Sequence, residues 1–93
     1  MATFMTRVEL HNASYSDYES LHTAMETEGF ERTITSSDGV VYNLPTAEYY
    51  RSANFSKQQI LDSAKRAAAA TKKTFAVVVT ESNGVMWSGL SQV

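Results

Sequence analysis

The fold of this chain is indicated by the stretches Ser16-Asp17-Tyr18-Glu19 and Ser56-Lys57-Gln58-Gln59. In each stretch a Ser side chain can cap a helix, while an acid or amide three residues later reaches back to the backbone of that Ser. Phe55 and Ile60 flank the second cap at the spacing of a hydrophobic staple. Because the segments around both stretches have the pattern of strands, the sequence predicts the order strand–helix–strand–strand–helix–strand.

The strands are indicated by side chains that alternate between two faces and by turn residues between the segments. Residues 3–10 place Phe4, Thr6, Val8 and Leu10 on one face, with the period of two that is typical of a strand. Asp38-Gly39 indicates a hairpin between residues 30–35 and residues 40–44. Pro45 cannot donate a ladder hydrogen bond, so it predicts a bulge or an edge, beyond which residues 47–51 resume the third strand. Residues 74–80 form the most hydrophobic run and are predicted to be buried on both faces.

The first helix is predicted to begin at Ser16 and to end at Gly29, and the second to cover residues 57–71. Asn83-Gly84 is another hairpin signal, so residues 85–87 are compatible with a short fifth C-terminal strand, and residues 88–93 are predicted to be a loose tail. Right-handed crossovers then give an α+β, ferredoxin-like βαββαβ sandwich, with an antiparallel sheet and two helices on one face. The 93 residues are predicted to form this single domain.

Composition excludes several classes of site. The chain has no Cys and only two His residues, so neither a thiolate nor a His-based metal site is supported, and no cofactor is expected. No apolar run is long enough to span a bilayer, and the N-terminal residues lack the regions of a signal peptide. These features predict a cytoplasmic protein with no membrane partner.

Charge is distributed unevenly along the chain. Residues 1–50 hold eight acids and two bases, a net charge of −6, whereas residues 51–93 hold six bases and two acids, a net charge of +4. Such a dipole can steer association with a charged partner, although solvated helix faces would produce the same pattern.

No nucleotide-binding, serine-hydrolase or zinc-protease motif is present. The chain has two histidines, His11 and His22, which are weighed as candidate catalytic residues. His11 follows the first strand, where it can carry a proton, or it can be a loop residue without a chemical role. His22 stands beside the apolar stripe of the first helix and can equally be a packed boundary residue.

A basic and aromatic surface for single-stranded RNA is a further possibility. It would consist of candidate residues on or near the predicted strands, namely Arg7, Arg32, Arg51, Tyr49 and Tyr50. The alternative is that Arg7 and Arg32 form cross-strand pairs with Glu9, Glu31 or Glu48.

The layout resembles the GhoS family of type V antitoxins, which are small ferredoxin-like endoribonucleases. The resemblance covers about residues 4–81 and follows the strand before Ala13-Ser14-Tyr15-Ser16, the helix leading to Gly29-Phe30, the hairpin at Asp38-Gly39, the cap at Ser56 and the strand at residues 75–80. It implies sequence-selective cleavage of a toxin mRNA, in which a basic residue on the first helix matters. The nearest match to that residue is His22, or Thr23 if the register differs by one.

Two functions follow as predictions. In the first, the chain is a GhoS-like, metal-independent endoribonuclease in which His22 or His11 is the acid/base and Arg7, Arg32 and Arg51 hold phosphate. In the second, it is a non-enzymatic protein-binding regulator or inhibitor, of the kind that phages and mobile elements carry, acting through a sheet edge and charged helices. A homodimer joined through a sheet edge is expected in either case.

Overall fold

The computed structural model describes residues 1–93 and contains two helices and five strands. The elements in chain order are β1 (Ala2–Leu10), α1 (Tyr15–Thr27), β2 (Thr33–Thr35), β3 (Val41–Asn43), β4 (Glu48–Ala53), α2 (Lys57–Ala69) and β5 (Phe75–Ser82). β1 lies at the centre and pairs antiparallel with β4 on one side and β5 on the other. β2 and β3 form a separate hairpin, which an isolated bridge from Glu31 to Tyr50 attaches to β4. The predicted α+β class, compatible with a ferredoxin-like arrangement, is confirmed.

One core lies between the helices and the inner face of β1. Phe4, Thr6, Val8 and Leu10 are all buried, as their alternation predicted. From the helix side the core receives Leu21 and Met25 of α1, together with Ile60 and the small residues Ala64, Ala67 and Ala68 of α2. Small side chains let α2 approach the sheet closely, so a thin two-layer core is filled without large residues on both sides.

The predicted start of α1 at Ser16 is wrong by two residues, because Ser14 is the cap. The Ser14 side chain accepts a hydrogen bond from the backbone N–H of Asp17, and the Asp17 carboxylate accepts one from the backbone N–H of Ser14 at 2.9 Å. Both Ser-to-acid spacings are present in the sequence, and the earlier one forms the reciprocal pair. The α2 cap at Ser56, with Gln59 as its partner, is confirmed.

The end of α1 at Gly29 has two hydrogen bonds that close the helix. The Gly29 N–H donates to the carbonyl of Glu26 and the Phe30 N–H donates to that of Met25, each at 3.0 Å. This pattern requires a left-handed residue, and Gly29 has φ of 97°. The chain reverses there and places Phe30 in the core.

β5 differs from its prediction as a strand buried on both faces. Its residues alternate between half-buried and exposed, and the Val78 side chain is 63% exposed on the face away from the helices. The reason is position, since β5 pairs only with β1 and is an edge strand of a sheet that has helices on one face. A hydrophobic run therefore lies where only one of its faces is covered.

Residues 85–87 form no strand, and the residues after them are bonded rather than loose. The fifth strand arises instead because the predicted third strand divides at Pro45 into β3 and β4. We call residues 83–93 the C-terminal strap. It runs from the end of β5 to β3, where the Asn43 N–H donates to the carbonyl of Ser91 and the Val93 N–H donates to that of Val41.

The revised helix start gives a direct stability test. We expect Ser14→Ala to lower the free energy of unfolding by about 1 kcal/mol, because it removes the N-cap oxygen. The matched change Ser16→Ala removes a hydroxyl inside the first turn and should cost less than about 0.5 kcal/mol. Urea unfolding followed by circular dichroism measures both, and equal losses would contradict the assignment of the cap.

Candidate functional site

The candidate site residues lie in separate parts of the molecule. His22 and Tyr49 are in the core, and Arg51 lies on the helix side of the sheet. Arg7 and Tyr50 are on the opposite face, which we call the open face. Because the candidate residues lie on opposite sides of the sheet or in the core, they do not form one catalytic centre.

His22 and Tyr49 form a buried polar pair between α1 and β4. The His22 Nδ1 atom lies 2.6 Å from the Tyr49 hydroxyl oxygen, and the two residues are 4% and 0% exposed. Burial lowers the pKa of His22, and the charge of Arg32 lowers it further. Burial also raises the pKa of the Tyr49 hydroxyl. Both groups are therefore neutral near pH 7, and their contact satisfies two polar groups that the core would otherwise leave unpaired.

Arg51 joins the end of α1 to β4. Its guanidinium donates a hydrogen bond to the backbone carbonyl of Glu28 and lies over the rings of Phe30 and Phe55, at 5.6 and 4.9 Å from their centroids. A Cβ at Gly29 would come within 2.9 Å of this guanidinium, so the glycine also makes room for it. These contacts occupy the charged group, which was expected from the sequence to hold phosphate.

The open face carries Arg7 and Tyr50, but its charge is mainly acidic. Arg7 forms an ion pair with Glu48 at 3.9 Å, which is the cross-strand alternative that the sequence left open. Glu9 lies on the same face of β1, and Glu31 is bridged to Tyr50. Because three carboxylates share this face with one arginine of the sheet, a polyanion would be repelled there unless those carboxylates were neutralised.

His11 lies apart from the other candidates, in the exposed loop before α1. Its Nε2 atom lies 3.3 Å from a Glu9 carboxylate oxygen, and its Nδ1 atom lies 3.3 Å from the Thr74 hydroxyl. Arg32 is likewise exposed, beside the bridge at Glu31. No hydrogen bond or ion pair connects His11 with Arg7, Arg32 or Arg51.

The most distinctive surface is the free edge of β5, the strand that the predicted ferredoxin-like order places at one edge of the sheet. This strand has eight residues, pairs on one side only and carries no charged side chain before Glu81. Ala76, Val78 and Thr80 are its exposed residues on the open face. What sequence reasoning missed is the exposure of one face of this strand, although the alternation of small or polar residues with valines could have indicated it.

α2 lies beside this free edge and adds charge to it. Asp62, Lys65, Arg66 and Ala69 of the helix surround a shallow cavity of about 430 Å³ together with Phe75, the first residue of β5. Arg66 also pairs with Glu28 of α1 at 3.1 Å. The edge therefore combines free backbone groups, small uncharged side chains and both signs of charge.

Neither helix is long and apolar enough to cross a membrane, and no group of three or more His, Asp or Glu side chains is placed to hold a metal ion. Comparison of the chain with protein-family models gives no match, and comparison with curated proteins gives none either. The resemblance to the GhoS family therefore stays a prediction.

The lowered pKa of His22 predicts a pH dependence of stability. The unfolded chain binds a proton on this residue near its ordinary pKa of 6.5, which the folded chain resists, so stability is full above that value and decreases as the pH falls below it. Asp17 and Asp38, whose pKa values are also lowered, contribute losses only at more acidic pH, around and below their ordinary 3.8.

We expect His22→Gln to flatten the dependence of the unfolding free energy on pH between about pH 7 and 5. Tyr49→Phe should keep the dependence, because burial is the larger cause of the shift and persists without the hydroxyl. Denaturant unfolding at several pH values measures these slopes. A His22→Gln protein with the slope of the unmodified chain would contradict the assignment.

Proposed function

We propose that this chain is a non-enzymatic protein-binding module that acts through the free edge of β5. The observation that carries the proposal is an eight-residue strand, uncharged over its first six residues, that pairs with β1 alone. The backbone N–H and C=O groups on the other side of such a strand are available to an added strand. The edge supplies affinity through the backbone, and the exposed side chains set which partner fits.

The absence of protective features strengthens this interpretation. Edge strands that do not pair with another chain are commonly short, or they carry Lys, Pro or a bulge that opposes such pairing. From Phe75 to Thr80 the strand has none of these residues, and its register with β1 is continuous from Phe75 to Ser82. The other end of the structure is different, since the C-terminal strap bonds to β3 there.

A second copy of this chain is the partner that we propose for the edge. A two-fold axis perpendicular to the sheet would pair two β5 strands antiparallel, so one symmetric contact would cover the free edge of both copies. This supports a homodimer with a continuous sheet through both β5 strands.

RNA cleavage, the function that the GhoS resemblance implies, stays a second prediction. The burial of His22, the contacts of Arg51 and the acidic open face support it less than the free edge supports protein binding. It would become the better proposal if the purified chain cleaved single-stranded RNA and both His22→Ala and Arg32→Ala abolished that cleavage without unfolding the protein.

Cysteine crosslinking tests pairing through β5 in a chain that has no Cys of its own. Single variants Ala76→Cys, Val78→Cys and Thr80→Cys place thiols along the exposed side of the strand. Opposed residues of an antiparallel pair come about 5 Å apart at Cβ, but a residue faces its own copy only at the two-fold axis. Either one single variant, or a mixture of two variants two or four positions apart, should therefore form a disulfide-linked dimer rapidly on mild oxidation. Tyr15→Cys, at an exposed position on α1, is the control for random collision. Monomers by light scattering, or equal crosslinking at all four positions, would contradict the homodimer.

A further inference from the structure

A cleft separate from the β5 edge lies between the open face and the C-terminal strap. It has a volume of about 550 Å³ and is lined by thirteen residues, among them Thr3 of β1, Tyr50 of β4 and residues 82–87 where the strap begins. The hairpin of β2 and β3 forms the remaining wall with Ile34 and Tyr42. Ile34 is 5% exposed but does not belong to the main core, so it is buried as part of this second apolar cluster.

Aromatic rings form the walls of the cleft. Tyr42 and Trp87 meet edge to face, with ring centroids 5.5 Å apart and planes inclined by 63°. Tyr50 belongs to the same lining, so three aromatic side chains from β3, β4 and the strap converge on one space. Rings in edge-to-face contact keep part of each face free, and a further planar ring can stack there.

The strap holds Trp87 in this position because it is fixed at both ends. The Ser82 hydroxyl donates to the carbonyl of Gly84 at 3.0 Å and accepts from the Gly84 N–H at the same distance. At the other end, the Asn43 N–H donates to the Ser91 carbonyl at 2.8 Å. The wall that carries Trp87 is therefore formed before any ligand binds, which lowers the ordering cost of binding.

The lining contains no charged residue. Charged side chains make up 19% of the chain, yet the thirteen lining residues are apolar, hydroxyl-bearing, amide-bearing or glycine. An ionic ligand would lose its hydration without gaining a counter-charge, so the cleft favours a neutral occupant. Thr3 and Thr35 supply hydroxyl groups that can bond a polar substituent.

We infer that this cleft is a binding site for a small, uncharged aromatic molecule of two or three rings with a polar substituent. The volume lies within the range of about 300–1,000 Å³ that small-molecule sites occupy, whereas about 150 Å³ is enough for one benzene ring. The space is therefore larger than a single aromatic side chain of a peptide requires. This inference does not depend on pairing through β5, since the free edge is not needed to form the cleft.

Three probes of similar shape test the inference against its alternatives. 2-Naphthol is neutral and aromatic, naphthalene-2-sulfonate is the anionic counterpart, and decahydro-2-naphthol has the same skeleton without aromaticity. We expect 2-naphthol to bind at least about tenfold more tightly than either of the others, because only it combines stacking with neutrality. Trp87 is the only tryptophan, so its indole N–H cross-peak in ¹⁵N spectra reports the contact directly. N-acetyl-phenylalanine amide, which is neutral, represents an aromatic side chain of a peptide and should bind more weakly than 2-naphthol.

Two variants and one control variant keep the test decisive. Trp87→Leu should weaken 2-naphthol binding about tenfold, whereas Tyr15→Leu, an exposed aromatic on α1, should leave it unchanged. Thr35→Lys places a cation at the exposed rim and should reverse the preference toward naphthalene-2-sulfonate without removing a wall of the cleft. No shift of the Trp87 cross-peak with 2-naphthol up to its solubility limit would overturn the inference, as would equal binding of all three probes to the unmodified chain.

Discussion

The central position of β1 determines most of this structure. Phe4, Val8 and Leu10 are buried against both helices, while the backbone of the same strand bonds to β4 on one side and β5 on the other. Each helix buries its apolar stripe only because this strand offers a continuous inner face, so the core and the sheet form together. A charged residue on that inner face would cost several kcal/mol in desolvation.

With β1 in the middle, the two outer edges of the sheet differ in whether the chain itself covers them. The C-terminal strap crosses to β3, bonds to its backbone and brings Trp87 against Tyr42, so that end is covered by the chain itself. β5 has no such cover, although its exposed valine and small residues would be the ones most in need of it. This asymmetry is the reason that we propose protein binding at β5 and small-molecule binding in the cleft beneath the strap. The two proposals therefore use different surfaces of a 93-residue chain.

The candidate residues show why sites are harder to infer than elements. Tyr49 and Tyr50 are adjacent, and the sequence placed both on an RNA surface, yet Tyr49 is fully buried while Tyr50 lines the open face. Which of the two points inward depends on the residues between Pro45 and β4, where Ala47 adopts a φ of 66°. A shift of one residue there would exchange the two faces of β4 and would move Arg51 from Phe30 to the open side. No pattern within the strand itself determines which of the two tyrosines points toward the core.

The sequence by itself determined the class of the fold, the inner face of β1, the Ser56 cap and the end of α1 at Gly29. These features depend on local geometry or on a periodicity that repeats over several residues, so neighbouring side chains suffice to specify them. Only the tertiary structure decided that His22 is buried against Tyr49, that the outer face of β5 is exposed, that the strap reaches β3 and that Arg51 lies between two rings. These features depend on contacts between segments far apart in the chain, and their free energy comes from surfaces that exist only once the sheet has formed.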